Sequence, residues 1–206
     1  MPQGDGFGHG TKGAPEAAAR HAVAAAAAGL VRPGSVVAVS GGTTAHAVAA
    51  ALRHTPGLTV VTNSLPVAEL LRHVAEEAGP DAGAPTVLLT GGAPTRSASL
   101  VGPLAEQAIR SLRVDLLLMD AHGVSERAGL TTPNLAEAGT NRALIESATR
   151  LAVVADHTKW GVVGLSRFAG LDEIDYFVTD DALAEDARST LNGQVGRLIL
   201  ADTTHA

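Results

Sequence analysis

The chain of 206 residues has no cysteine. Disulfides and thiol catalysis are therefore excluded. Aromatic residues make up only 2%, although 46% of the residues are hydrophobic. The core must then be built from Ala, Val and Leu, a composition suited to helices packed closely on a parallel sheet. Basic residues are also few: 15 Lys and Arg against 21 Asp and Glu leave a net charge of −6. No Lys/Arg cluster is present, which argues against nucleic-acid binding by these residues alone. No apolar run approaches the length that spans a bilayer. Ala22 to Ala28 is too short and too rich in alanine, and it lacks the layout of a signal peptide. No membrane partner is expected, and a cytoplasmic location is the simplest expectation.

What is present suffices for one α/β domain with its own core. Residues 1–14 carry Gly4, Gly6, Gly8 and Gly10, and are expected to be a disordered segment or linker. Residues 15–206 form the expected domain. Its first helix is expected at Pro15–Leu30, packed on the sheet or on another subunit. Apolar strands are expected at Val36–Val39, Leu58–Val61, Thr86–Leu89, Leu116–Met119, Leu151–Ala155, Tyr176–Val178 and Arg197–Leu200. Helices are expected at Thr44–Leu52, Pro66–Glu77, Pro103–Leu112, Leu135–Ala148 and Asp181–Leu191. This alternation predicts an α/β fold: a mainly parallel, Rossmann-like sheet with right-handed crossovers and helices on both faces.

The chain is organised around Val36-Val37-Ala38-Val39-Ser40-Gly41-Gly42-Thr43-Thr44. A β-branched run suits a strand covered on both faces. Gly41 and Gly42 permit backbone angles or approaches that a Cβ would block. Thr43 or Thr44 is expected to cap the helix that follows. Such a turn presents free N–H groups and the positive end of the helix dipole, and so can hold a phosphate or carboxylate. It also occurs as an ordinary strand-to-helix turn without a ligand. Small, polar or charged residues follow the other strands too: Thr62-Asn63-Ser64, Thr90-Gly91-Gly92, Asp120-Ala121-His122, Asp156-His157-Thr158-Lys159 and Thr179-Asp180-Asp181. In a parallel sheet these carboxyl ends share the edge where open α/β folds bind ligands.

Lys159 is one of only two lysines, the other being Lys12. A compact point charge after a strand suits a phosphate or carboxylate, and equally a solvated loop. Asp156 can pair with Lys159 or accept a sugar hydroxyl. Asp120 ends a fully apolar strand. Glu137 follows the expected loop Gly129–Asn134, either as a helix-start carboxylate or as a site acid. His122 and His157 lie on the same edge, but no HxH or HExxH spacing makes them a metal site. There is no GxSxG elbow, Walker A lysine motif or GxGxxG turn, and no cofactor is expected.

Several stretches together resemble the C-terminal effector-sensing domain of DeoR-family bacterial transcription regulators. They are Val39-Ser40-Gly41-Gly42-Thr43-Thr44, Val60-Val61-Thr62-Asn63-Ser64-Leu65-Pro66, Leu89-Thr90-Gly91-Gly92, Leu100-Val101-Gly102-Pro103, Gly129-Leu130-Thr131-Thr132-Pro133, Ala155-Asp156-His157-Thr158-Lys159 and Thr179-Asp180-Asp181. They occur in the family's order from about Ala17 to Asp181. The resemblance implies a fold shared with ribose-5-phosphate isomerase and the glucosamine-6-phosphate deaminase group. It also implies a phosphorylated sugar or related metabolite as effector. Ser40, Gly41, Gly42, Thr43 and Thr44 would then surround the phosphate. Thr62, Asn63, Gly91 and Gly92 would line the pocket. Lys159 would meet the anionic end of the ligand, and Asp120, Glu137 and Asp156 would face its hydroxyls. No catalytic residue and no metal ligand is implied.

The sequence departs from the family in two places. Members carry an N-terminal winged helix-turn-helix of about 50–60 residues, but only about 34 residues precede the first strand here, with no plausible recognition helix. DNA is thus expected as a partner only through a domain absent from this sequence. The stretch Asp120-Ala121-His122-Gly123-Val124 also differs from the glycine-rich family version. The leading expectation is an effector-binding domain of a repressor, in a homo-oligomer. The alternatives are a sugar-phosphate isomerase or deaminase using the same pocket, and a scaffold that only oligomerises.

Overall fold

A computed structural model describes residues 14–78 and 83–203. The expected linker falls, apart from Ala14, outside the described residues. From the N-terminus the elements run α1 (Ala14–Ala28), β1 (Val36–Val39), α2 (Thr43–Leu52), β2 (Thr59–Thr62), α3 (Leu65–Ala78), β3 (Thr86–Leu89), β4 (Ala93–Pro94) and β5 (Leu100–Val101). There follow α4 (Pro103–Arg110), β6 (Leu116–Asp120), β7 (Gly123–Ser125), β8 (Gly129–Thr132), α5 (Leu135–Ser147) and β9 (Leu151–Val154). A short 3-10 turn at His157–Lys159 precedes β10 (Ser166–Ala169), β11 (Tyr176–Asp180), α6 (Glu185–Gln194) and β12 (Arg197–Ala201).

Seven strands form one sheet in the order β12-β11-β9-β6-β1-β2-β3, with every pairing parallel. They are the seven expected from the apolar runs. The pleat sends alternate residues of each strand to opposite faces. Leu116 and Leu118 join a cluster with Val23 and Ala27 of α1, Val48 and Leu52 of α2, and Leu71 of α3. Leu117 and Met119 join the other cluster, with Ile109 of α4, Leu144 of α5 and Leu191 of α6. Each fully buried Leu or Val side chain contributes about 2 kcal/mol. The alanine-rich α1 packs on this molecule's own sheet and on α2, with Val23 and Ala27 both 0% exposed.

Two differences from the sequence expectation follow from long-range contacts. Gly129–Thr132, expected as a loop, is strand β8, paired antiparallel with β7 and β10 in a separate three-stranded sheet. It forms a tight hairpin with β7 just before it, and β10, beyond α5 and β9 in sequence, pairs with its other edge. Helix α6 begins at Glu185 and not at Asp181. The preceding turn is held elsewhere: the Asp181 N–H donates to Ala201 O at 3.1 Å, and Arg188 Nε donates to Leu183 O at 2.8 Å.

Strand β1 lies between β6 on one side and β2 on the other. The chain leaves β1 through α2 toward β2, and returns later to β6 on the opposite side. The strand order therefore reverses at the β1–β6 pair, which opens a crevice at their carboxyl ends. Asn134 begins α5 beside this crevice, its Oδ1 accepting from the N–H groups of Ala136 (2.9 Å) and Glu137 (3.3 Å).

Two substitutions test this framework. Gly129 has φ 67, and a Cβ there would lie 2.2 Å from Ala169 O. Gly129→Ala should therefore lower the unfolding free energy by about 3 kcal/mol, measured by denaturant titration. Asn134→Ala removes the cap of α5 and should lower it by about 1 kcal/mol in the same measurement.

Candidate functional site

The crevice widens into a cavity of about 290 Å³. Gly41, Gly42 and Thr43 enter it from the turn after β1, and Asn63 from the end of β2. Asp120, Ala121 and His122 follow β6. Ser97 and Ser99 come from the β4–β5 hairpin, Thr132 from β8, Glu137 and Asn141 from α5, Lys159 from the 3-10 turn and Phe168 from β10.

The glycine turn is shaped by what stands beside it. A Cβ on Gly41 would lie 1.9 Å from Ser99 Oγ. A Cβ on Gly42, whose φ is 124, would lie 2.2 Å from Asp120 Oδ2. Gly42 is itself the N-cap of α2, so Thr43 and Thr44 lie inside the helix and neither caps it. The acceptor at this terminus comes from across the crevice: Asp120 Oδ2 accepts from the Thr44 N–H at 3.0 Å. Ser40 Oγ accepts from the Asp120 N–H at 3.0 Å and donates to Gly41 O at 3.0 Å, binding the two strand ends together.

The far wall carries Glu137. Thr132 Oγ1 donates to its Oε2 at 2.8 Å, and Ser97 Oγ to its Oε1 at 3.0 Å. Glu137 lies in the first turn of α5, behind the Asn134 cap, and also lines the cavity, so it is both a helix-start carboxylate and a wall residue. Lys159 stands on a turn set by two carboxylates. Asp156 Oδ1 accepts from the Thr158 N–H at 3.0 Å and from the Thr158 hydroxyl. Asp180, 0% exposed, accepts from the His157 N–H at 2.7 Å and bonds His157 Nδ1 at 2.6 Å. Because an ionised carboxylate only accepts, Nδ1 carries the proton. Trp160 follows at once, half-buried against the core, its N–H donating to His157 O at 3.2 Å.

Of the residues expected at the site, Gly41, Gly42, Thr43, Asn63, Asp120, Glu137 and Lys159 meet at the cavity. Ser40, Thr44, Thr62 and Asp156 are buried behind it, each at 2% exposure or less. Thr62 Oγ1 donates to Val39 O at 2.6 Å and so ties β2 to β1. Gly91 and Gly92 stand outside the wall. A Cβ on Gly92 would lie 2.8 Å from Val101 O, so it shapes the β4–β5 hairpin. The two histidines diverge, His122 into the cavity and His157 onto Asp180. Among the described residues no group of three or more potential ligands could hold a metal ion. Sequence reading does not single out Ser97, Ser99, Thr132, Asn141 or Phe168. The only local signal is the short polar run Thr95-Arg96-Ser97-Ala98-Ser99.

The family described as the DeoR C-terminal sensor domain matches residues 16–181. The HTH-type transcriptional regulator YgbI of Escherichia coli is 36% identical over 87% of this chain and 68% of its own length. The HTH-type transcriptional regulator GlpR of Haloferax volcanii is 35% identical over 84% and 64%. The transcriptional repressor AccR of Agrobacterium fabrum is 34% identical over 79% and 61%. The chain thus spans about two thirds of the length of these relatives. Among solved structures, eIF2B delta of Chaetomium thermophilum shares the fold, with a TM-score of 0.54 and 14% identity over 80% of this chain and 56% of its own. Ribose 5-phosphate isomerase A of Methanocaldococcus jannaschii gives a TM-score of 0.49 and 16% identity over 71% and 55%. With the family match covering most of its length, and with the ordered motifs meeting at one sheet edge, the chain belongs to the DeoR C-terminal sensor domain family.

Proposed function

We propose that this sensor domain binds a phosphorylated sugar or related metabolite in the cavity at the β1–β6 crevice and thereby controls a transcriptional repressor. The observation that carries this reading is the pairing of two chemistries in one cavity. At one end the N–H groups of Gly41, Gly42 and Thr43 sit at the N-terminus of α2, and all three residues line the cavity. Backbone donors of this kind, with the helix dipole behind them, favour a phosphate. Lys159 lines the same cavity and adds a point charge suited to it. Asp120 beside that turn, and Glu137 and Asn141 on α5, offer acceptors for sugar hydroxyls. Ser40, Thr44, Thr62, Gly91, Gly92 and Asp156 hold the surrounding turns in shape.

In the complete protein the domain would act on a separate winged helix-turn-helix that contacts DNA, in a cytoplasmic homo-oligomer. The relatives named as HTH-type regulators support the attached helix-turn-helix. No helix of the described residues is long and apolar enough to cross a membrane. A ligand that touches α2, α5 and the Lys159 turn together favours the arrangement of these elements that it fits best. The attached domain responds to that shift in population.

The test is thermal unfolding against glycerol 3-phosphate and triose, pentose and hexose monophosphates, each beside its unphosphorylated parent. A ligand at 100 times its dissociation constant should stabilise by about 2.7 kcal/mol. Lys159→Ala should weaken binding by about tenfold to a hundredfold, the loss of a hydrogen bond to a charged group. No stabilisation by any phosphate would refute the reading. Turnover of the bound compound would replace it with an isomerase or deaminase.

A further inference from the structure

Strand β3 ends the main sheet on one side, and among the described residues no strand pairs with its outer edge. A free edge offers a row of backbone donors and acceptors, and folded proteins blunt such rows with charges, prolines or bulges. β3 has none of these. Its residues Thr86-Val87-Leu88-Leu89 carry no charge and no proline, and their register with β2 is continuous. The opposite edge is built differently: β12 begins with the exposed Arg197, and its Leu198 and Ile199 pack on the two core clusters. In β3 only Val87 packs on a core cluster, while Leu88 and Leu89 are 42% and 45% exposed.

The bonds to β2 fix which backbone groups remain. The Thr86 N–H donates to Leu58 O at 2.9 Å, and the Thr90 N–H to Thr62 O at 3.0 Å. Thr86, Leu88 and Thr90 therefore turn their backbone groups toward β2, and Val87 and Leu89 turn theirs outward. A second β3 run antiparallel along this edge satisfies both outward residues at once. Val87 of each copy exchanges N–H and C=O with Leu89 of the other, and Leu88 meets its own mate on a two-fold axis. Side chains directly opposite in such a pair share a face and touch, so the two half-exposed Leu88 side chains cover each other. With no charge in the strand, no like charges are opposed.

We infer that β3 is the contact between two copies of this chain, paired antiparallel and centred on Leu88, so that two seven-stranded sheets join into one. The contact uses the same patch on both copies, as a two-fold axis requires. The inference rests on the homo-oligomer proposed above and gives it a defined interface. It is separate from the effector cavity, since β2 and β1 stand between β3 and the β1–β6 crevice.

Analytical ultracentrifugation across a concentration series tests the interface, with circular dichroism establishing that each variant is folded. The wild type should sediment as a dimer. Leu88→Lys sets two like charges on the axis and should raise the dimer dissociation constant by about tenfold to a hundredfold. Leu88→Glu should do the same. An equimolar mixture of these two variants should recover the dimer, because the opposed charges are then unlike. Val87→Pro removes an outward N–H and no bond to β2, a position where an edge strand tolerates proline. It too should favour the monomer, and it decides the matter alone if the Leu88 variants do not fold. Leu200→Lys, on the exposed surface of β12, should leave the dimer intact. A monomeric wild type overturns both the homo-oligomer and this interface. A dimer that survives Leu88→Lys and Val87→Pro, or Leu88 variants that stay monomeric when mixed, overturns the interface and leaves the homo-oligomer standing.

Discussion

The structure depends on the absence of two methyl groups. At Gly41 the space of a Cβ is filled by Ser99 Oγ, and at Gly42 by the carboxylate of Asp120. Either side chain would push the β4–β5 hairpin or the end of β6 away from the turn after β1. The hairpin supplies Ser97 to Glu137, and the end of β6 supplies the acceptor at the α2 terminus. Three segments far apart in sequence thus meet at one point because the backbone there is bare. A β1–β6 neighbourhood created by parallel pairing brings them close, and the glycines let them touch.

Around that contact, carboxylates serve two kinds of work. Asp156 and Asp180 are buried and hold the 157–159 turn: Asp156 Oδ1 accepts from Thr158, and both oxygens of Asp180 meet His157. They set the direction of the turn, and through it the placement of Lys159. Asp120 and Glu137 line the cavity, each already holding protein donors. The division follows from depth. A carboxylate closed off from water is held by local donors, whereas one at a cavity wall also faces a ligand-sized space.

The main sheet was legible in the sequence because its strands are continuous apolar runs bounded by polar turns, such as Val36–Val39 before Ser40 and Leu116–Met119 before Asp120. A central parallel strand needs no alternation, and a run of Val and Leu marks it plainly. The small sheet was not legible: Gly129-Leu130-Thr131-Thr132-Pro133 carries turn chemistry, and only its pairing with β7 and β10 makes it a strand. The cavity was half legible for the same reason. Residues directly after main-sheet strands, such as Gly41, Asn63 and Asp120, follow from the topology. Ser97, Thr132 and Asn141 reach the wall from the hairpin, the small sheet and the interior of α5, and no spacing in the sequence links them. Capping was misread because the acceptor for α2 lies 76 residues away.

The scarcity of aromatic residues has an optical consequence. The chain's single tryptophan, Trp160, directly follows Lys159, and its backbone N–H donates to His157 O in the 3-10 turn. It also pairs with Val124, just beyond the Asp120–His122 segment. Its emission is therefore not averaged over other indoles, and it arises where the turn that carries Lys159 packs on the core. A change in that turn alters the surroundings of this one indole, so the molecule carries a native optical probe of the Lys159 turn.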